Sequence, residues 1–466
     1  MKKSNISTKA RDGQASSRYI YLVAFIAATG GFLFGYDLSI ISGALPFLET
    51  HFELSASGKG GAVSSAILGS IAGPLFGLWL SDAVGRRKTL AIASVCFMLS
   101  AIGTALPWNL EVFNVWRVIG GIGVGLAAMT SPMYIAEISP AHLRGRLVTV
   151  NQLAIVLGIN LAVIVSYSLS FGGHWRWMFA SEVIPIVLLM VGLRFLPRSP
   201  RWLMATGRTT EALDVLTRIN GKRQAAIEYT EIHNELANER GSLRELFSKN
   251  LRRALLVGVV IMVFSQINGV NMMLLYGPTI LVEAKIGTAS DAIFFTIFLN
   301  LLILVSTVIA FWLVKRFGRR PILIGGVSVM ALGHVLMAGV FYLDASPLLN
   351  LAAMFIAAGA FTLSLAPLSW IIVSEIFPNR IRGKAVAIVC AILYASSFLC
   401  AQFFPMITEA FEAAMGHPGG AYLLFAGICL SCVVFCWRVL PETKDISLET
   451  VGDYWAAVQR KRKKSS

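Results

Sequence analysis

Glu137-Ile-Ser-Pro140-Ala-His-Leu-Arg144-Gly145-Arg146 returns about half a chain later as Glu375-Ile-Phe-Pro378-Asn-Arg-Ile-Arg382-Gly383-Lys384. A shorter phrase, Gly85-Arg86-Arg87, returns at nearly the same separation as Gly318-Arg319-Arg320. Two unrelated phrases with one period make the chain a duplication of a half-length unit. Each copy of the longer phrase follows a long apolar run, so the repeated unit is a bundle of membrane helices. Many secondary transporters are built from parallel repeats of this kind.

Composition agrees. Hydrophobic residues make up 56% of the 466 and charged residues 14%, a balance that fits a polytopic membrane protein and not a soluble one. Apolar runs of about 20 residues, the length that crosses a bilayer, predict helices over 19–46, 61–81, 89–108, 112–136, 147–170, 177–196, 253–281, 290–314, 321–343, 350–374, 384–409 and 419–440. The expected fold class is therefore an all-α membrane protein of twelve transmembrane helices, six plus six. The expected organisation is a cytoplasmic tail over 1–18, a first bundle over 19–198, cytoplasmic linker helices over 199–250, a second bundle over 251–440 and a cytoplasmic tail over 441–466.

The net charge of +15 is one-sided. With both termini in the cytoplasm, all but four of the 40 Lys and Arg fall on the cytoplasmic side; Lys59, Arg176 and Lys285 lie outside and Arg117 lies within a span. This is the positive-inside pattern and excludes a nucleic-acid partner as the reason for the charge. The first apolar run is long and lacks a small-residue cleavage site after it, so it reads as a retained helix. All six cysteines fall in predicted helices, and Cys429, Cys432 and Cys436 share a face without a His or acidic helper, which favours packing over metal binding.

The hydrophilic stretch from Ser199 to Asn250 reads as linker helices. One is capped by Thr210 with Leu213, Leu216 and Ile219 on one side and ends at Asn220-Gly221; another covers about 225–239. It holds no phosphate loop, metal cluster or activated nucleophile, so an enzyme is not expected and no cofactor is implied. The glycine run from Gly120 to Gly125 sits inside a predicted helix with no strand before it. Gly121 and Gly125 have instead the small-xxx-small spacing that lets helices approach closely.

Three ionisable residues stand out deep in spans: Asp37, Arg117 and Glu182. A charge at the bilayer centre costs about 2.5–3.5 kcal/mol even on lenient scales, so these face the bundle interior. Two acids and one base are neutralised by pairing plus one proton, which describes either a structural ion pair or a proton relay. Intramembrane amides offer a neutral solute donors and acceptors without charge, and Gln152, Gln266, Asn268 and Asn271 are candidates, with Trp370 as an aromatic face. Asn160 and Asn300 are equally explained as interhelical contacts. In the duplicated phrase, Glu137 and Glu375 end helices 4 and 10 while Arg144 and Arg382 begin helices 5 and 11, so acid and base from opposite halves are expected to meet at the cytoplasmic face.

Several motifs in order carry a resemblance: Gly30-Gly31-Phe32-Leu33-Phe34-Gly35-Tyr36-Asp37, Asp82-Ala-Val-Gly85-Arg86-Arg87-Lys88, Arg117 with its glycines, Pro132-Met-Tyr-Ile-Ala-Glu137, Pro197-Arg198-Ser199-Pro200-Arg201-Trp202-Leu203, the Glu375 phrase and Pro441-Glu442-Thr443-Lys444. From about residue 19 to 450 the chain resembles the sugar porter family of the major facilitator superfamily, and within it the bacterial proton symporters of xylose, arabinose and galactose. The resemblance implies proton-coupled symport of a pentose or hexose by alternating access across the inner membrane, with a facilitative sugar or polyol uniporter as the alternative. It implies proton binding at Asp37 with Arg117 as partner and Glu182 in the same coupling. Gln152, Gln266, Asn271 and Trp370 match sugar ligands, and Phe34 and Phe361 match cavity aromatics. Glu137, Arg144, Glu375 and Arg382, with Arg86, Arg87, Arg319 and Arg320, match the cytoplasmic gate. The chain departs from the pattern at Ser265, Ile159, Leu393 and Leu275, where the family pocket carries glutamines or a tyrosine, so a roomier and more apolar pocket is expected.

Overall fold

The computed structural model describes residues 5–238, 243–248, 251–377, 379–440 and 442. Twelve helices among them are long and apolar enough to span a membrane: α1 (Tyr19–Phe52), α2 (Ala56–Gly77), α3 (Arg86–Ala105), α4 (Leu110–Ile138), α5 (His142–Ser170), α6 (Trp175–Gly192), α7 (Arg252–Leu275), α8 (Ala289–Val314), α9 (Arg319–Tyr342), α10 (Pro347–Ile376), α11 (Ile381–Met415) and α12 (Gly419–Arg438). The N-terminal stretch is helical from Asn5 and runs directly into α1. The expected C-terminal tail lies almost wholly outside the described residues.

Packing repeats as the sequence does. In the first half α1 packs on α5, and α4 packs on both α2 and α3; in the second α7 packs on α11, and α10 packs on both α8 and α9. The halves meet along two seams, α2 against α11 and α5 against α8. A shift of six helices exchanges one seam for the other, so the duplication produces a pseudo-twofold molecule with its interface made twice from the same surfaces.

Small residues set these distances. A Cβ on Gly121 would lie 1.9 Å from the Ala66 carbonyl oxygen, and one on Gly125 would lie 2.4 Å from that of Ser70, so α4 rests directly on the backbone of α2. That is the close approach expected from the Gly121/Gly125 spacing.

The linker forms Pro200–Ala205 and Thr209–Asn238, the latter broken at Gly221, whose φ of 77° admits no continuing helix. Its buried stripe is Ala212, Val215, Leu216 and Ile219. Leu213, expected on that side, is exposed instead, because the stripe follows the 3.6-residue period through Ala212 rather than through the larger side chain. The linker therefore packs by one face against the basic end of the first half.

We expect Gly121→Val to destabilise the protein by at least about 1–3 kcal/mol, the cost of overpacking a closed contact. Thermal unfolding in detergent measures this, with Gly145→Ala as a neutral control because nothing lies within 4 Å of a Cβ there.

Candidate functional site: a buried charge triad and a broken helix

Arg117 of α4 is fully buried, and its guanidinium meets the Asp37 carboxylate of α1 at 2.8 Å and the Asp37 carbonyl at 3.2 Å. Glu182 of α6, also buried, faces the Asp37 carboxyl. Asp37 Oδ2, Glu182 Oε1 and Arg117 Nε are all buried without a hydrogen-bond partner among the described residues. The Phe179 ring lies 5.8 Å from the guanidinium carbon and closes one side. Glu182 sits at a break in α6 between Trp175–Ala180 and Val183–Gly192. Pro185 lacks the N–H that would bond the Ser181 carbonyl, which is why the helix opens where the acid must reach Asp37. The structure thus joins the three intramembrane charges, one from each of three helices, in a single group.

A second feature is the interruption of α7. Its first segment ends at Ile267 and its second starts at Val270, with Gly269 between them at φ 88°. Asn268 turns its side chain back on the break: Nδ2 donates to the carbonyls of Phe264 and Ser265 at 3.0 and 2.7 Å, and Oδ1 accepts from the Val270 N–H at 2.9 Å. Asn271 donates to Gln266 Oε1 at 3.0 Å and to the Ser265 carbonyl at 3.1 Å. Gln266 and Asn271 form a partly buried amide pair. A straight helix would put these residues, five apart, on different faces; the break brings their amides together.

The remaining sugar-site candidates are placed less closely. Gln152 on α5 and Trp370 on α10 are exposed, Phe34 on α1 is partly buried, and Phe361 on α10 is buried. Phe34 and Gln152 belong to helices in backbone contact, since a Cβ on Gly35 would overlap the Ile155 carbonyl and one on Gly158 that of Phe32. Trp370 and Phe361 flank a break at Ser364, where φ is −126° and ψ −86°. Pro367 has no N–H for the Leu363 carbonyl, so α10 loosens there. Asn160 and Asn300 bond the carbonyls of their own helices at Val156 and Thr296.

The candidate gate residues pair differently from the sequence expectation. Arg86 holds Glu137 at 2.8 Å within the first half, and Arg319 holds Glu375 at 2.8 Å within the second. Arg144 donates to the Ala136 carbonyl and Arg382 to that of Phe377. The anticipated cross-half meetings are absent from the ion pairs between described residues. Each acid is thus held by an arginine of its own half. Polar contacts between halves lie toward the other end: Ser64 Oγ to Gln402 Oε1 at 2.7 Å, Ser170 Oγ to Ser290 Oγ at 2.8 Å and Ser42 Oγ to the Leu274 carbonyl at 3.0 Å. Near that end Lys59 pairs with Glu49 at 2.9 Å and approaches Glu283 at 3.9 Å.

The chain as a whole is similar to known proteins. Residues 23–455 match the family model described as Sugar (and other) transporter. The chain belongs to the sugar porter family. It is 36% identical to the D-xylose-proton symporter of Escherichia coli K12, over 97% of this chain and 99% of that one. It is also 36% identical to the arabinose-proton symporter of Bacillus subtilis, covering 94% and 96%, and 32% identical to the galactose-proton symporter of Escherichia coli K12, covering 95% of each. Among solved structures, the inward open conformation of the xylose transporter XylE matches with a TM-score of 0.82 at 35% identity, covering 94% of this chain and 100% of that one. XylE bound to 6-bromo-6-deoxy-D-glucose matches with a TM-score of 0.78 at 36% identity, with the same coverage. The chain is a multi-pass membrane transporter of sugars and not an enzyme.

Sequence reasoning passed over His334 of α9. It is fully buried, and its Nε2–H donates to the Asn268 carbonyl at 2.8 Å, while the Cys429 thiol of α12 reaches the same oxygen at 3.7 Å. The imidazole and Phe425 also fill the space that a Cβ on Gly269 would need. The carbonyl left free by the α7 break is thus satisfied from two neighbouring helices. A lone His in an apolar span was the available signal, but its target is a main-chain oxygen that no motif marks.

Removing that donor leaves a buried carbonyl with only the long thiol contact, a loss of about 1–3 kcal/mol. We expect His334→Leu to raise the KM of sugar uptake about tenfold, and His334→Gln, which retains an N–H, to stay within about twofold of the parent. Concentration-dependent uptake, normalised to protein in the membrane, checks both.

Proposed function

We propose that this sugar porter is a proton–monosaccharide symporter of the cytoplasmic membrane, with both termini in the cytoplasm. The observation that carries the proposal is the Asp37–Arg117–Glu182 triad. Fully ionised it holds two negative charges against one positive in a region without solvent; with one proton on a carboxyl it has no net charge. A structural ion pair needs one acid only, and the second acid gives a proton a place to stay. The curated relatives named as proton symporters of xylose, arabinose and galactose support the same reading.

In this mechanism the bundles over 19–198 and 251–440 rock about the α2–α11 and α5–α8 seams. Sugar binds at Gln266 and Asn271 with Gln152, Trp370, Phe34 and Phe361 around it, the amides exchanging hydrogen bonds with the ring hydroxyls. The contacts between halves lie at the end opposite the basic loops, and the fold matches inward open XylE with a higher TM-score than the sugar-bound structure. Both support an inward-facing state. When the molecule turns outward, the basic ends of the halves approach, and Glu137 and Glu375 become available to Arg382 and Arg144 of the opposite half. The substrate is a pentose or hexose. With Ser265, Ile159, Leu275 and Leu393 around the site, it is held by fewer side-chain amides than a pocket lined with glutamines would offer.

A proton entering across 100 mV gains about 2.3 kcal/mol, enough for a sugar gradient of about fiftyfold at one proton per sugar. Asp37→Asn keeps the size and polarity of the side chain but exchanges no proton. We expect it to abolish accumulation of labelled sugar while preserving exchange against preloaded sugar. Accumulation that persists under an imposed pH gradient assigns Asp37 a structural role only. Gln266→Ala is expected to weaken sugar binding by about 1–3 kcal/mol, measured by titration of the purified protein; unchanged affinity removes Gln266 from the site.

A further inference from the structure

A cavity of about 470 Å³ lies at the basic end of the first half, between the start of α3 and the end of α6, with the linker residue Trp202 among its walls. Trp202 is fixed there by its indole N–H, which donates to the Asp82 carbonyl at 2.8 Å, and by contact with Gly85. Five basic residues line the cavity, and they divide into two groups. Arg86 is committed to Glu137 and Asp82, and Arg198 to Glu211 at 3.5 Å. Arg87, Lys88 and Arg194 have no carboxylate within ion-pair distance among the described residues; Arg87 donates only to the Arg194 carbonyl, at 3.4 Å. Three cations thus share one cavity without an acid to neutralise them.

The rest of the wall is mostly apolar, with Ser94 and Ser199 as its polar members, and leads into the membrane. Lys88 stands at the end of an outward stripe on α3 that continues at Ile92, Val95 and Leu99, which are exposed at helical spacing. Arg194 ends a matching stripe on α6 formed by Ile184, Leu188 and Val191. In a protein whose spans cross a bilayer, such stripes face acyl chains. Val95 and Met190 line the cavity itself, so its apolar wall is continuous with the lipid-facing surface. An occupant that satisfies the whole cavity is anionic at the basic end and hydrocarbon at the other.

We propose that this cavity binds one anionic phospholipid, with the headgroup phosphate at Arg87, Lys88 and Arg194 and one acyl chain along Val95 and Met190. A soluble phosphate would leave the apolar wall uncovered. A zwitterionic lipid would place its own cation among three others, with no acid in the cavity wall to receive it. Each basic residue near an anionic headgroup contributes about a fivefold gain in binding.

Native mass spectrometry of the purified full-length protein, mixed with equal amounts of phosphatidylglycerol and phosphatidylcholine in detergent, reads the site directly. The parent should retain one phosphatidylglycerol in preference to phosphatidylcholine. Lys88→Gln/Arg194→Gln should weaken that retention about thirtyfold, whereas Arg252→Gln, at the basic end but in the second half, should not. Val95→Trp, which fills the chain groove from a lipid-facing position, should displace the lipid without removing a charge. Equal retention of the two lipids by the parent, or unchanged retention in both site variants, overturns the proposal. Displacement by millimolar glycerol 3-phosphate also overturns it, because the site would then belong to a soluble anion.

Discussion

The Arg117 guanidinium is fully buried in the middle of a membrane bundle, and much of the first half is arranged around its compensation. An unpaired cation there is not tolerated, so α1 must present Asp37 and α6 must open at Ser181–Glu182 to present the second acid. Small residues let α4 sit close to its neighbours: a Cβ on Gly120 would lie 2.4 Å from the Ser100 hydroxyl oxygen of α3. A proton that arrives on one acid changes which oxygen the guanidinium prefers, and each acid belongs to a different helix. In our reading this ties protonation to helix position. In that reading the coupling requires no direct contact between proton and sugar, since α1 carries Asp37 and, one turn earlier, the candidate cavity residue Phe34.

The second half contributes a different device. Its sugar candidates depend on a helix that stops and restarts, and a broken helix in a bilayer exposes main-chain groups that must find partners. Asn268 supplies some from its own side chain, and His334 and Cys429 supply others from α9 and α12. One half therefore carries charge compensation and the other main-chain compensation, although both derive from one repeated unit. The duplication survives in the seams and in the arginine–glutamate pairs, while the centres of the two halves have diverged.

Most of the architecture was legible in the sequence because it follows from local pattern. Twelve apolar runs gave twelve spans, the repeated Glu137 and Glu375 phrases gave the two-unit construction, and Gly121 with Gly125 gave a close helix contact. The charges were legible too, since burying three ionisable residues in lipid leaves little choice but to group them. What the sequence did not disclose depends on contacts between distant segments or on conformational state. His334 acts on a main-chain oxygen, so its partner has no side-chain signature. Leu213 was misplaced because Ala212 competes for the same buried stripe. The gate acids were expected across the interface, yet in this state they pair within their own halves; residue identity limits the possible partners without choosing among them.

The central claim is that sugar crosses together with a proton at the buried triad. A neutral sugar carried alone moves no charge, whereas a sugar carried with a proton moves one. Sugar-evoked current across a solid-supported membrane holding the purified protein distinguishes these cases, once a panel of pentoses and hexoses has identified a substrate by labelled uptake. The account predicts an inward positive current that persists while sugar is present and is lost in Asp37→Asn. Labelled sugar crossing the same membranes with no accompanying current would contradict it and make the protein a facilitator.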